Sequence, residues 1–280
     1  MLKEMNPEHR DLENTDFVIM DLETTGLDPE TGDRIIEIAA IKVRGGEKIA
    51  QLHYLVNPDR PLSLEAYQIN QIDEGMIKDA PKSDQVLPEF LDFIRGSVLC
   101  IYNAGFDIGF LNKELSLIDK KMQEDIPVLD VLVMARRLLP GIEGYSLKSV
   151  ASHLGLKSTI LHRALEDVEI THKIFQYLLD VLKKKGMDRL ADIHNLFGYN
   201  SSMINLANAR KSVSILQAIK LERRLKIKYF SRSGIEITER EVQPREIIKE
   251  NGKDYLLGFC FLKSQERQFR IDAIIHLEIL

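Results

Sequence analysis

Two carboxylates two residues apart, Asp21 and Glu23, close an apolar run that begins at Phe17. A short apolar run bounded by Gly26 predicts a buried strand. In a strand, side chains at i and i+2 leave on the same face. The two acids therefore point the same way, beside a core that penalises charge. No Lys or Arg lies between Asn14 and Arg34 to pair with them. A divalent cation relieves the repulsion, and hard oxygen ligands suit Mg²⁺ or Mn²⁺; two solvated acids at a strand end are the bland alternative. Two further acids sit in apolar surroundings. Asp107 follows Asn103-Ala104-Gly105-Phe106, where a strand hands over to a helix, and taken alone it reads as an N-cap worth about 1 kcal/mol. Asp167 lies near the start of a long helix, where the dipole tolerates a carboxylate. His162, five residues earlier, reads on its own as a surface residue, although a pKa of about 6.5 also makes imidazole the natural general base at neutral pH. Four carboxylates on separate segments and a mobile imidazole fit a phosphodiester-hydrolysing centre that holds two divalent ions about 3.5–4 Å apart.

The elements that must position these groups can be read from periodicity and punctuation. Arg34 to Val43 and Ile49 to Val56 read as strands joined at Gly45-Gly46, making a meander with the first strand. Leu62 to Ala80 reads as short helical pieces, broken by Pro81, and Ser83 to Arg95 as a helix with Val86, Phe90, Leu91 and Ile94 at helical spacing. Val98 to Tyr102 reads as a buried strand. Phe106–Leu117, Val128–Leu139, Ser146 to Gly155 and Ala164–Lys184 read as helices. Three strands, then helices with an interposed strand, predict an α/β fold with a mixed sheet flanked by helices. Residues 187–212 read as a connector because Asn195, Gly198, Asn200, Ser201 and Ser202 break the pattern. A helix over Ser214–Lys226 leads into short strands: Ile227–Phe230, Ile235–Val242, Ile247–Lys249, Tyr255–Leu262 and Gln268 to the end. Their spacing predicts a small barrel or sandwich.

A length of 280 residues suits one large or two ordinary domains. The division expected is 1–185, a connector at 186–212, and 213–280. Both cysteines, Cys100 and Cys260, lie inside apolar runs and read as reduced core residues of a cytoplasmic protein. No apolar run reaches the roughly 18 to 20 residues that span a bilayer. Residues 213–280 carry 13 Lys and Arg against 10 Asp and Glu, hence +3, and the first 212 residues carry 25 against 33, hence −8. An acidic first part is a poor non-specific nucleic-acid clamp, unless bound metal supplies positive charge locally.

Asp21-Leu22-Glu23-Thr24-Thr25-Gly26, Asn103-Ala104-Gly105-Phe106-Asp107 and His162-Arg163-Ala164-Leu165-Glu166-Asp167 resemble, in order and separation, the three motifs of the DEDDh (DnaQ-like) 3′→5′ exonucleases, a family that includes polymerase proofreading subunits. The resemblance covers about residues 14–184. It implies a ribonuclease H-like five-stranded mixed sheet with helices. It also implies metal binding by Asp21, Glu23, Asp107 and Asp167, with His162 as general base and Thr24, Leu27 and Phe106 against the terminal nucleotide. Tyr102 stands where many relatives have His, outside the metal set. Residues 213–280 resemble the WYL domain through Arg240, Val242, Pro244, Asp254-Tyr255-Leu256 and Arg267-Gln268-Phe269-Arg270-Ile271-Asp272, with Asp254 in place of the name-giving Trp. That resemblance implies a small Sm/SH3-like β-barrel that senses a small ligand or nucleic acid. Arg240, Arg267 and Arg270 are candidate anion-binding residues, or else part of ordinary solvated strand faces. The combined reading is a metal-dependent 3′→5′ exonuclease acting on single-stranded or frayed DNA ends, with a polymerase or repair complex as partner. Its rivals are an RNA-trimming enzyme and a catalytically idle nucleic-acid- or ligand-binding regulator.

Overall fold

The computed structural model describes residues 11–124, 126–156, 163–199, 202–231 and 236–280. Strands β1 (Phe17–Thr24), β2 (Ile35–Arg44) and β3 (Glu47–Leu55) form the expected antiparallel meander. Gly45 and Gly46 take φ of 58° and 86° at its turn, a conformation that side chains disfavour. Short helices α1 (Leu64–Asn70) and α2 (Glu74–Ile77) precede α3 (Ser83–Ile94). Strand β4 (Val98–Ile101) then enters alongside β1 in parallel and leads into α4 (Ala104–Leu117).

Val128–Leu139, read from sequence as one helix, divides into β5 (Val128–Asp130) and α5 (Val131–Leu138). Three residues are too few to show strand periodicity, and what makes them a strand is pairing with β4, Leu99 to Val128 and Ile101 to Asp130. Helices α6 (Leu147–His153), α7 (Ala164–Lys184) and α8 (Leu190–Phe197) follow. The sheet order is β3-β2-β1-β4-β5, the mixed five-stranded sheet that was expected.

Alternation along β1 decides which layer each residue meets. Val18, Met20 and Leu22 join the core beneath α3 and α4, whereas Phe17 and Ile19 join the core with α5, α6, α7 and α8. Asp21 and Glu23 continue the second set, so the strand aims both acids at the face that α7 covers. Central strands buried on both faces read as continuous apolar runs; β1 does so until these two acids interrupt it, and β2 does so apart from Glu37.

Residues 186–212, expected to be a connector, contain α8 and the start of α9 (Ser202–Lys220). Ile193, Leu196 and Phe197 are buried in the first unit's core, and the backbone at Gly198 bridges to Leu129 of β5. Of the residues that suggested a linker, Asn195 lies within α8, whose inward face is apolar, and Gly198 follows its end.

Strands β6 (Leu225–Phe230), β7 (Ile237–Glu250), β8 (Lys253–Cys260), β9 (Gln265–Arg270) and β10 (Ile274–Ile279) form a second sheet. All its pairings are antiparallel, in the order β10-β6-β7-β8-β9. The closed Sm/SH3-like barrel expected from sequence is therefore corrected to an open sheet. A 3-10 turn at Ile271–Ala273 carries β10 back to β6 rather than to β9, so β9 and β10 are edges with no ladder between them among the described residues. Ile215 and Ala218 of α9 fill the sheet's apolar face. The two short strands expected around Pro244 are one strand with an irregular register between Pro244 and Glu246, as suits a residue without an N–H.

A fragment ending at residue 185 lacks Ile193, Leu196 and Phe197, and losing a large core side chain costs about 2–5 kcal/mol. It is expected to melt well below a fragment ending at residue 200, or to be unfolded at 25 °C, as measured by circular dichroism. Equal melting temperatures would show that α8 contributes nothing to the first unit's core.

Candidate active site

Three of the four candidate ligands converge from two elements. Asp21 and Glu23 come from the end of β1, and Asp167 comes from the first turn of α7. Each offers a carboxylate oxygen within 4.8 Å of the others. Asp167 occupies the inward stripe of α7 with Ala164, Thr171 and Ile174, where an acid is rare without a partner or a metal. Asp107 lies on the inward face of α4, 2% exposed. The β1–β4 ladder ends at Met20 and Ile101, and Asp107 accepts the N–H of Leu22 just beyond it. Its Oδ1 is buried with no hydrogen-bond partner among the described residues.

The electrostatics follow from this crowding. Burial drives Asp21 well above the usual carboxylate range, and Asp107, Glu23, Asp167 and Glu37 push it further. Burial raises Glu23 to about 8, helped by Asp167, Glu37 and Asp107 and opposed by Arg163. Burial also raises Asp107 to about 8 against the backbone N–H groups it accepts. Such a cluster needs positive charge, and the donors are all hard oxygens. The convergent trio and the unsatisfied Asp107 oxygen fit a divalent metal site.

Two groups not singled out in the sequence hold this arrangement in place. Glu37 of β2 is fully buried opposite Glu23 in the ladder. It accepts from Arg163 at 2.8 and 3.2 Å and from the Ala164 N–H at 3.0 Å, and it pairs with His53 Nε2 at 2.8 Å. Burial alone would raise its pKa, but Arg163, His53 and Ala164 together hold it below the usual value. The start of α7, and so Asp167, is thereby clamped to the sheet. The second group is Asp130. Its carboxylate accepts from Val133 at 3.1 Å, capping α5, and from the backbone at Leu132, Ala104 and Asn103. It thus fixes the turn that presents Asp107. Asn103 sits there in the left-handed region at φ 69°, which Asn tolerates better than most residues. The visible signals were an acid inside the all-apolar run Ile35–Ile41 and an acid just before a helix.

The other candidates are distributed around the site. Thr24 is buried and donates its hydroxyl to the Gly26 carbonyl at 2.6 Å. A Cβ on Gly26 would collide with the Asp33 carboxylate, so the loop closes tightly there. Leu27, at the loop's tip, is 80% exposed. Phe106 is half-buried, with its ring centroid 4.9 Å from that of Phe110. His162 lies outside the described residues, but it immediately precedes Arg163, which Glu37 anchors. Arg240, Arg267 and Arg270 line a single cavity on the C-terminal sheet. The Tyr102 hydroxyl donates to the Tyr145 carbonyl at 2.7 Å, a structural contact away from the carboxylates.

Comparison with known proteins agrees with this geometry. Residues 18–175 match the family model described as Exonuclease, and residues 213–279 match that of the WYL domain. The DNA polymerase III subunit epsilon of Rickettsia conorii is 40% identical over 190 residues, which cover 64% of this chain and 81% of that protein. The PolC-type DNA polymerase III of Thermotoga petrophila is 38% identical over 184 residues, 66% of this chain; the chain spans only 13% of the length of that polymerase. A solved structure of E. coli exonuclease I with single-stranded DNA superposes on 95% of this chain and 64% of its own, with a TM-score of 0.55 at 15% identity. The nuclease domain of 3′hExo, a DEDDh family member, superposes on 61% of this chain and 94% of its own, with a TM-score of 0.54 at 19% identity. At those identities the likeness is one of fold. No helix among the described residues is long and apolar enough to cross a membrane.

Two outcomes test the site as built. In metal-free buffer, Asp21→Asn should melt above the parent because it removes repulsion. Divalent ion at about 100 times its Kd should stabilise the parent by about 2.7 kcal/mol, and the variant much less. Glu37→Gln, which leaves Arg163 without its buried partner, should lose roughly 3 kcal/mol at neutral pH. The folded-state pKa of Glu37 is depressed, so its contribution is complete above the unfolded pKa of about 4.3 and fades as pH falls through the folded value. Urea denaturation should therefore show the gap constant from about pH 5 upward and narrowing below pH 4.

Proposed function

The chain belongs to the exonuclease family whose model spans residues 18–175, and from that membership we propose that it hydrolyses DNA from the 3′ end, releasing nucleoside monophosphates. The observation that carries the reading is the convergence of Asp21, Glu23 and Asp167 beside an unsatisfied Asp107 oxygen. Asp21, Glu23, Asp107 and Asp167 hold two divalent ions, Mg²⁺ or Mn²⁺. Bound there, the ions supply Lewis-acid stabilisation of the charge that develops on the phosphoryl oxygens. His162 accepts the proton of the attacking water. Arg163, locked to Glu37, fixes the chain next to His162, and its charge also tempers the raised pKa of Glu23. Thr24, Leu27 and Phe106 line the approach and hold the terminal nucleotide, with exposed Leu27 and the Phe106 ring as apolar surfaces for a base.

Single-stranded DNA or a frayed 3′ end is the substrate this reading favours. The Rickettsia relative is a DNA polymerase III subunit, and the fold neighbour covering nearly the whole chain was solved with single-stranded DNA. A polymerase or repair complex is the partner these relatives point to. On the C-terminal sheet, Arg240, Arg267 and Arg270 form an anion-binding surface, since all three open onto one cavity.

Strands labelled at the 5′ end should shorten stepwise from the 3′ end with Mg²⁺ and stay intact in chelator. Asp21→Asn or Asp167→Asn should abolish trimming in a folded protein. His162→Ala should lose about 10²–10⁴ in rate and keep metal binding. RNA strands of the same sequence, run in parallel, decide the sugar. Trimming by a folded Asp21→Asn protein, or loss of the 5′ label first, would overturn the assignment.

A further inference from the structure

The cavity that Arg240, Arg267 and Arg270 open onto has a fourth arginine, and it comes from the other unit. Arg137, in the last turn of α5, lines the same space of about 310 Å³ together with Tyr229 and Tyr255. We propose that this cleft is a composite site for the phosphate of a nucleotide, completed by Arg137 across the interface between the nuclease unit and the C-terminal sheet. The proposal rests on the reading of the three sheet arginines as an anion-binding surface and adds to it a second wall and a ligand class.

Among the described residues the four cations have few anionic partners. Arg270 is held by Asp272 in a two-pronged pair at 2.9 and 2.5 Å. Asp272 is the nearby acid acting on Arg137 as well, and Arg137 meets repulsion from Arg270. Arg240 donates Nε to Thr238 at 3.0 Å, but its Nη1 is buried with no hydrogen-bond partner among the described residues. Arg137 donates Nη1 to the Leu196 carbonyl at 3.0 Å and rests on the Phe197 ring, 5.8 Å from its centroid. It is thus fixed in place while the rest of its fork stays available. Burial lowers its pKa, with Arg270 adding to the effect, as expected of a desolvated cation beside another. An unsatisfied buried donor and converging guanidinium groups are matched by a phosphate, whose oxygens accept from several forks at once.

The size and walls narrow the class. A cavity of about 310 Å³ falls at the small end of ligand pockets, which run from about 300 to 1,000 Å³. Tyr229 and Tyr255 supply aromatic surface on which a base can stack. Tyr229 is itself propped edge-on against Phe269, with ring centroids 5.2 Å apart. Gripping a phosphate from both sides ties the C-terminal sheet to α5. The other end of α5 is capped by Asp130, the residue that holds the turn presenting Asp107.

The test uses the full chain in chelator, so that divalent ions at the carboxylates do not contribute. Deoxyadenosine 5′-monophosphate, deoxyadenosine, inorganic phosphate and a nuclease-resistant phosphorothioate strand are titrated by calorimetry. The monophosphate or the strand should bind at one site, with deoxyadenosine at least about tenfold weaker. Arg240→Ala and Arg137→Ala should each weaken binding by about tenfold or more, the equivalent of about 1.4 kcal/mol. Should Arg137→Ala not fold, Arg137→Lys keeps the stem and charge but loses the fork, and should weaken binding several-fold. Tighter binding of the strand, lost in the same variants, assigns the phosphate to a substrate strand; tighter binding of the monophosphate assigns it to a free nucleotide. Undiminished binding in folded Arg137 variants alongside weakened binding in Arg240→Ala would confine the site to the sheet and overturn the composite. No binding of either phosphate ester, or inorganic phosphate binding as tightly as both, would overturn the ligand class. The trimming assay with Mg²⁺ reads the nuclease assignment separately.

Discussion

Carboxylates brought together beside an apolar core repel one another, and much of the first unit can be understood as the framework that withstands this repulsion. Asp21 and Glu23 cannot separate because they share a face of a strand that stays paired with β2 through both positions. Asp167 cannot withdraw because α7 is buried along its length against β1 and β2. Asp107 cannot turn outward without giving up the Leu22 N–H and the core position of α4. Each acid is held by backbone pairing or apolar burial, forces that do not depend on its own charge. The raised pKa values of Asp21, Glu23 and Asp107 are the visible strain of that arrangement, and a multivalent cation is the natural relief.

One supporting acid shows the opposite behaviour. Glu37 is as buried as any group in the protein, yet its pKa is depressed because four donor groups on three residues meet it. Glu114 likewise receives Arg34 at 2.6 and 2.9 Å and the Ile35 N–H at 3.2 Å, which ties α4 to the start of β2. The fold thus sorts its inward acids by partner. Those met by arginine and backbone, such as Glu37 and Glu114, join elements together, whereas Asp107 Oδ1, without a hydrogen-bond partner among the described residues, stays beside the carboxylate cluster.

The two units meet through packing as well as charge. Phe230 of the C-terminal sheet meets Phe197 of α8 edge-on, with centroids 5.8 Å apart, and Ile275 enters the same core as Ile193 and Leu196. Because α8 also bridges to β5, this junction is continuous with the catalytic sheet. The cleft with Arg137 lies beside it, lined by charged groups of both units.

What could be read from the chain alone was local. A two-residue period fixes that Asp21 and Glu23 share a face, whatever the strand packs against, and three short motifs in order identify the candidate ligands. Loop and helix signals placed most elements for the same reason, since capping residues, glycines and apolar spacing act within a few positions. The remainder depended on residues far apart in sequence. Three residues at Val128–Asp130 became a strand because β4 offered an open edge. Helix α8 became core because its apolar stripe met α5 and β5, although polar neighbours disguised it as a linker. The C-terminal sheet stayed open because the 3-10 turn sends β10 to β6, a choice of partner that no single strand encodes. Glu37 gained its meaning from Arg163, 126 positions away, and Arg137 gained its own from arginines more than a hundred positions further along the chain. Side-chain type and periodicity are properties of a segment, whereas partnership is a property of packed segments, and only the tertiary structure decides it.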